Sequence, residues 1–298
     1  MTPPDVPPAK LTSAGTRTPL LGRVLGTPQP SWETSLDRQF FPWLDDHRFR
    51  GRMVFPGMGY LDLGHAAGIS LHPDTPLALH DVKFSRACLI SENQPPTLQT
   101  ILQAESGEFT VHGRRSAKAG WTLHARGFVR PNQDAATEPQ RLTDIWDRCP
   151  IDLARQDCYR LFHERGLDYG PAFQGIDQMW RGQGECLARI DVPKQLKDAD
   201  RWLHPATVDA CLHVLLGAIL PGDGSPSHAT CPVYLPVDVA EVHVHAPSGE
   251  TLWSHGRISE QSAYAIVADI RVFEETGRVV WEANGLRCQA MGGGVPEK

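Results

Sequence analysis

Positive charge is scarce in this chain. Lys and Arg number 29 against 35 Asp and Glu, a formal net charge of −6 over 298 residues, and no basic stripe of the kind that tracks a nucleic-acid backbone is present. Long apolar runs are missing as well: none reaches the roughly 20 residues that cross a bilayer. The opening residues, Met1 to Pro8, have neither the basic nor the apolar region of a secretory signal. The seven cysteines (88, 149, 158, 186, 211, 231 and 288) include no Cys-x-x-Cys. An odd, dispersed set reads as reduced and mostly buried thiols in a cytoplasmic protein, with Cys211 notable for lying beside a candidate acid. Gly22 and Gly26 lack the strand and the spacing of a dinucleotide fingerprint. Ser225 and Ser227 lie outside any Gly-x-Ser-x-Gly frame, which disfavours an acyl-serine hydrolase.

What remains is ample material for a core. Hydrophobic residues make up 41% of the chain, and its length fits one large domain or two small ones fused tightly. Residues 1–19, rich in Pro and Thr, read as a linker or tail. A second break in composition at 131–139 divides the rest into comparable halves: 20–131, then a linker at 132–151, then 152–290, with a short tail at 291–298. In the first half a helix is expected over 58–68, followed by strands at 78–87, 97–104, 108–113 and 120–130. In the second half, 152–165 reads as an amphipathic helix ended by Gly166. Strands are expected at 173–180 and 184–192, then a very apolar helix over 205–220, with Pro205 in its first turn and Pro221-Gly222 at its end. Four more strands follow at 237–245, 251–259, 263–273 and 279–290, the last two joined by a turn at 274–277. Each half is thus one buried, mostly apolar helix with antiparallel strands wrapped around it. The fold class is α+β, made twice, with the two sheets side by side.

Three segments carry candidate chemistry: His47-x-x-x-Gly51-x-x-x-x-Pro56, Tyr169-Gly170-Pro171-x-Phe173 and Asp209-x-x-x-His213. Asp209 sits in the most apolar helix, where a carboxylate is costly unless paired. His213 is one turn on, in reach of a hydrogen bond. An apolar setting favours the protonated acid, which is the form that can donate to a leaving hydroxyl. The alternative is a helix-start Asp with a solvent-side His. His47 lies among glycines that let backbone approach a ligand, at the mouth of a helix beginning near Gly57 whose free N–H groups could polarise a carbonyl. Taken alone, a single histidine among thirteen is more often filler. A base and an acid meeting in one narrow site suit removal of water from a β-hydroxyacyl thioester. His243 and His245 share a strand face, but no third metal ligand is evident and exposed strand histidines are the simpler reading. Arg114, Arg115 and Lys118 read as a solvated hairpin tip, with contact to an acidic partner or a phosphate as the alternative.

In order and spacing, the three segments resemble the signature set of polyketide synthase dehydratase domains. Their context matches too: Trp43-Leu44 before Asp46-His47, Pro56-Gly57 with Tyr60-Leu61 after, Gln174-Gly175 after Phe173, and His204-Pro205 before Asp209. Each motif is weak alone, and the three together are specific; the resemblance runs from about Leu20 to Ala290. It implies a double hotdog fold, two helix-wrapped antiparallel sheets fused side by side. It implies a substrate carried on the phosphopantetheine arm of an acyl carrier protein, neighbouring polyketide synthase domains, a homodimer, and no metal or redox cofactor. His47 maps to the catalytic base, Asp209 to the acid and His213 to the residue that orients the acid. Tyr169 maps to a hydroxyl lining the site, with Gly57 supporting at the helix end. Gly51, Pro56, Gly170, Pro171 and Phe173 map to the substrate-binding walls. The segment Cys231-Pro-Val-Tyr-Leu-Pro236 departs from the Leu-Pro-Phe-Ser-Trp-like stretch of many relatives, which bears on pocket shape and not on His47 or Asp209. Related reactions use the same pair of groups: a dehydratase-like cyclase that closes a pyran ring, and a double-bond isomerase. A catalytically silent structural module of a megasynthase is the non-enzymatic alternative.

Overall fold

A helix with few charges along its length must be enclosed by protein. Helix α1 (Gly57–Leu71) is buried continuously from Met58 to Gly68. The computed structural model describes residues 19–132, 137–196, 204–220, 232–247 and 249–291. Ahead of α1 lie β1 (Arg23–Val24), β2 (Ser31–Ser35) and a short hairpin, β3 (His47–Phe49) with β4 (Arg52–Met53). After it come β5 (Leu77–Phe84), β6 (Thr97–Leu102), β7 (Glu108–Arg114) and β8 (Thr122–Pro131).

The second half opens with α2 (Leu142–Trp146), β9 (Ile151–Ala154), α3 (Arg155–Glu164), β10 (Leu167–Tyr169), β11 (Ile176–Arg181) and β12 (Glu185–Asp191). Its central helix follows in two pieces, α4 (Pro205–Leu212) and α5 (Val214–Ile219), and then β13 (Val233–Val244), β14 (Thr251–Gln261), β15 (Ala265–Phe273) and β16 (Val279–Met291).

Among the described residues the strands form one 13-stranded antiparallel sheet in the order β1-β2-β6-β7-β8-β5-β13-β16-β15-β14-β12-β11-β9. The halves join edge to edge where β5 pairs with β13, from Lys83 opposite Asp238 to Ala78 opposite His243. Strands β6 and β7 bury every second residue, the period-2 signature of a sheet with one face on the core. That face receives α1 in the first half and α5 in the second, and α1 also packs against α4. The fold is the expected helix-wrapped pair of sheets, here continuous across the junction. A separate three-stranded sheet, β10-β3-β4, crosses between the halves.

Several elements differ from the expectation. The helix over 205–220 is interrupted at His213, whose N–H bonds the carbonyl of Ala210, three residues back; such tightening breaks an α-helix into two runs. The helix expected over 152–165 starts only at Arg155, because residues 151–154 are drawn into the sheet edge as β9 beside β11. Strand β11 begins at Ile176 and not at Phe173, since 170–173 form a turn closed by Phe173 N–H to the carbonyl of Gly170. His243 and His245 are not exposed: both are packed into the junction face, bonded to Glu241 and Glu282 respectively. No group of ligands able to hold a metal occurs among the described residues. Arg115 and Lys118 are exposed at the hairpin tip as expected, whereas Arg114, the last residue of β7, is half-buried, lying over the Trp121 ring and paired with Glu33. The Pro-rich start up to residue 18, Pro221-Gly222, Ser225, Ser227, Cys231 and the tail from 292 lie outside the described residues.

Candidate active site

The segment leading to His47 is a short 3₁₀ helix, Pro42–Asp46, with proline in its first turn and Trp43 and Leu44 buried. His47 therefore begins a strand and is not, as its distance from Gly57 suggested, at a helix mouth. Strand β3 is pinned on both sides. It pairs with β4 through the two-residue turn Arg50-Gly51, both at positive φ (49° and 73°), the pattern of tight hairpin turns. It also pairs with β10, which sets His47 directly opposite Tyr169.

The His47 ring has a defined proton position. Its Nδ1 lies 2.8 Å from the carbonyl oxygen of Val54. A carbonyl only accepts, so Nδ1 carries the hydrogen and, in the neutral ring, Nε2 presents a lone pair. That nitrogen is 3.9 Å from Asp209 Oδ2. Asp209 is in α4 and is only 13% exposed. His213 Nε2 lies 3.2 Å from the same oxygen, while its Nδ1 is buried without a hydrogen-bond partner. The arrangement that strands no buried N–H places the hydrogen on Nε2, donated to Oδ2. This leaves Oδ1 as the oxygen available to carry an acidic proton. The aromatic rings of Tyr169, 4.3 Å from His213, and Phe173, 4.9 Å from His47, hold both imidazoles in place.

These groups open on a cavity of about 620 Å³. Its walls are largely apolar, with Phe55 and Met58 from the first half and Leu212, Leu216 and Ile219 from the second. Gly57, the first residue of α1, is at the cavity wall; no side chain caps that helix end and a Cβ there would meet nothing within 4 Å. Tyr169 also faces the cavity. Burial, and next the Asp209 carboxylate, raises its pKa well above 10, so it remains a neutral hydroxyl. Cys211 is fully buried and its thiol is pushed up by burial, with Asp209 adding to it; an inert core thiol accounts for it.

Of the expected site residues, the structure brings His47, Gly57, Tyr169, Asp209 and His213 to one cavity. Gly51, Pro56, Gly170, Pro171 and Phe173 do not line it. Gly51 turns the exposed hairpin tip, Pro56 ends the chain leading into α1, Gly170 and exposed Pro171 form the turn behind Tyr169, and Phe173 is wholly buried against the back of His47. These residues shape the site without forming its surface.

Three features were not read from the sequence. The Val54 carbonyl that fixes the His47 tautomer is a main-chain atom and leaves no residue-type signal. His204 caps α4, accepting from Ala206 N–H at 3.3 Å. Burial lowers its pKa to about 4, so near neutrality it is uncharged and able to accept; a histidine just before the helix-starting Pro205 was the available signal. Exposed Arg50, Arg52 and Arg86 lie on the rim of the cavity, and none pairs with a carboxylate among the described residues.

Residues 137–298 match the family described as polyketide synthase dehydratase N-terminal domain, and residues 18–114 match the polyketide synthase dehydratase domain. The chain belongs to the polyketide synthase dehydratase family. Among its curated relatives, polyketide synthase PksM of Bacillus subtilis (strain 168) is 28% identical over 86% of this chain, and polyketide synthase GfsE of Streptomyces halstedii is 38% identical over 59% of it. The chain spans 6% and 5% of those two synthases. The dehydratase domain from the CurK module of curacin polyketide synthase superposes with a TM-score of 0.82 at 28% identity, covering 92% of this chain and 97% of that one. The CurF dehydratase domain gives 0.81 at 28%, covering 93% and 100%. Two further CurK dehydratase structures are inactive mutants, one with a histidine changed to phenylalanine and one with an aspartate changed to asparagine.

Proposed function

We propose that this dehydratase-family chain removes water from a β-hydroxyacyl thioester borne by an acyl carrier protein, giving the α,β-unsaturated thioester. The observation that carries the reading is the facing of His47 Nε2, a lone pair by hydrogen-bond logic, and Asp209 at 3.9 Å inside an apolar cavity. That an Asp and a His are each needed in the similar CurK dehydratase supports it.

The step balances with these groups. His47 Nε2 takes the α-proton, and the electrons of the broken Cα–H bond move toward the thioester carbonyl. The N–H groups at the start of α1, by Gly57, stabilise the developing enolate oxygen, among largely apolar walls. As the alkene forms, the β C–O bond breaks and Asp209 gives its proton to the departing hydroxyl, which leaves as water. His47 is then an imidazolium and Asp209 a carboxylate. Their proximity lets the proton pass back and restores the starting state. His213, donating to Oδ2, keeps the acidic proton on Oδ1. Arg50, Arg52 and Arg86, exposed beside the cavity and pairing with no carboxylate among the described residues, suit the phosphodiester of a phosphopantetheine arm.

Turnover of both hydroxyl epimers of a carrier-bound β-hydroxyacyl substrate tests the reading. Wild type should yield a product lighter by one water, with NMR showing an alkene and not a ring. His47→Ala and Asp209→Asn should each lose about 10²–10⁴-fold in rate while keeping the fold. Undiminished turnover in either variant refutes the assignment.

A further inference from the structure

Asp46, the residue before the base, holds the opposite half of the molecule with both its main chain and its side chain. Its carbonyl accepts from Gly170 N–H at 2.8 Å and its Oδ2 accepts from Ala172 N–H at 2.8 Å. The carboxylate lies so close along this turn that a Cβ on Gly170 would collide with its Oδ1 and Cγ, which restricts that position to glycine. The adjacent Asp45 behaves differently, pairing with Arg38 and Arg48. Among the described residues no cation pairs with Asp46, so its hydrogen bonding is directed at the turn.

The rings on either side of this contact interlock. Trp43 and His47, flanking Asp46, meet Phe173 at 6.2 and 4.9 Å, and His47 meets Tyr169 at 5.6 Å. Tyr169 packs on His213, which bonds Asp209. One continuous path of contacts thus leads from the base, through Asp46 and the turn, to the acid.

We infer that Asp46 is a positioning residue: its carboxylate clamps the turn at 169–173 to the start of β3 and thereby sets the gap between His47 and Asp209. The kinetic arm of the test rests on the elimination proposed above. The two halves are also joined through β5 and β13 and through the core, so loss of the clamp should move the site more than the fold. Misplacement of a catalytic group by about 1 Å is enough to cost on the order of 10²-fold in rate.

Three variants test this on a short soluble β-hydroxyacyl thioester. Asp46→Ala should lower kcat about 30–100-fold with KM within about threefold. Gly170→Ala should do the same from the other side, because its methyl displaces the carboxylate. Asp46→Asn retains an acceptor for Ala172 N–H and should stay within about fivefold of wild type. The imidazole ¹⁵N resonances of His47, read without substrate, should shift in Asp46→Ala and Gly170→Ala and hold in Asp46→Asn. A wild type that fails to dehydrate while Asp46→Ala still moves those resonances sinks the reaction and leaves the clamp standing. Wild-type kcat in folded Asp46→Ala or in Gly170→Ala overturns the clamp, as do unmoved His47 resonances in both or an Asn variant as impaired as the Ala variant. Should Asp46→Ala not fold, Gly170→Ala decides alone.

Discussion

At the scale of single residues, hydrogen-bond bookkeeping assigns the protons. His47 has its Nδ1–H committed to a carbonyl, and His213 has an unpartnered Nδ1 and a bonded Nε2. The two imidazoles therefore hold opposite tautomers, one offering a lone pair to the cavity and the other an N–H to the acid. This gives His213 a role distinct from bulk or charge. His213→Ala should lower kcat about 10–100-fold with little change in KM, and His213→Gln, whose amide N–H can reach Oδ2, should recover most of it. A Gln variant no better than Ala, in steady-state kinetics on the same thioester, would count against orientation. His47, Asp209 and His213 were legible because side-chain type and spacing carry their chemistry. Val54 was not, because any residue supplies a carbonyl. Asp46 was visible only as context, since its partners at 170 and 172 are distant in sequence and are main-chain atoms.

At the scale of elements, the two central helices were legible from their lack of charge and the strands from alternation, while short pieces were not. The hairpin of β3 and β4 and strand β10 have two or three residues each, too few to show a period. Yet these pieces set His47 opposite Tyr169. The interruption at His213 was equally hidden, since apart from Thr207, Asp209 and His213 itself the run over 205–220 is apolar. Its cause is local: the 213 N–H bonds Ala210, and Ser254, fully buried in β14, donates to the Cys211 carbonyl at 2.8 Å. Just past the interruption α5 approaches the sheet closely at Gly217. A Cβ there would collide with Cys186 Sγ and lie 2.8 Å from Met179 Sδ. Since β12 and β11 cannot give way without disturbing the sheet, Gly217→Ala should destabilise by about 1–3 kcal/mol despite alanine's better helix propensity. Urea unfolding would register this as a lower midpoint; a stabilised variant would show that the contact is soft.

At the scale of the whole molecule, the segment ahead of α2 is tied to the sheet through Glu282 of β16. Thr137 donates to Glu282 Oε1 at 2.5 Å, His245 Nε2–H donates to the same oxygen at 3.1 Å, and Arg271 Nε is 3.3 Å from Oε2. Glu282 is 8% exposed. Its pKa falls from 4.5 to about 2, chiefly through the His245 bond, opposed by burial and reinforced by Thr137 and then Arg271. A depressed carboxyl binds protons more readily in the unfolded chain, so it stabilises the fold above its unfolded value and loses that contribution as pH falls through its folded value. The window here runs from about pH 4.5 down to about pH 2. The shift corresponds to a contribution on the order of 3 kcal/mol at neutral pH. Glu282→Gln should therefore unfold at lower urea than wild type near neutrality, and the two curves should draw together as the buffer is taken from about pH 4.5 toward about pH 2. A gap that stays constant through that window would mean that the amide's lost packing, and not the charge, sets the difference.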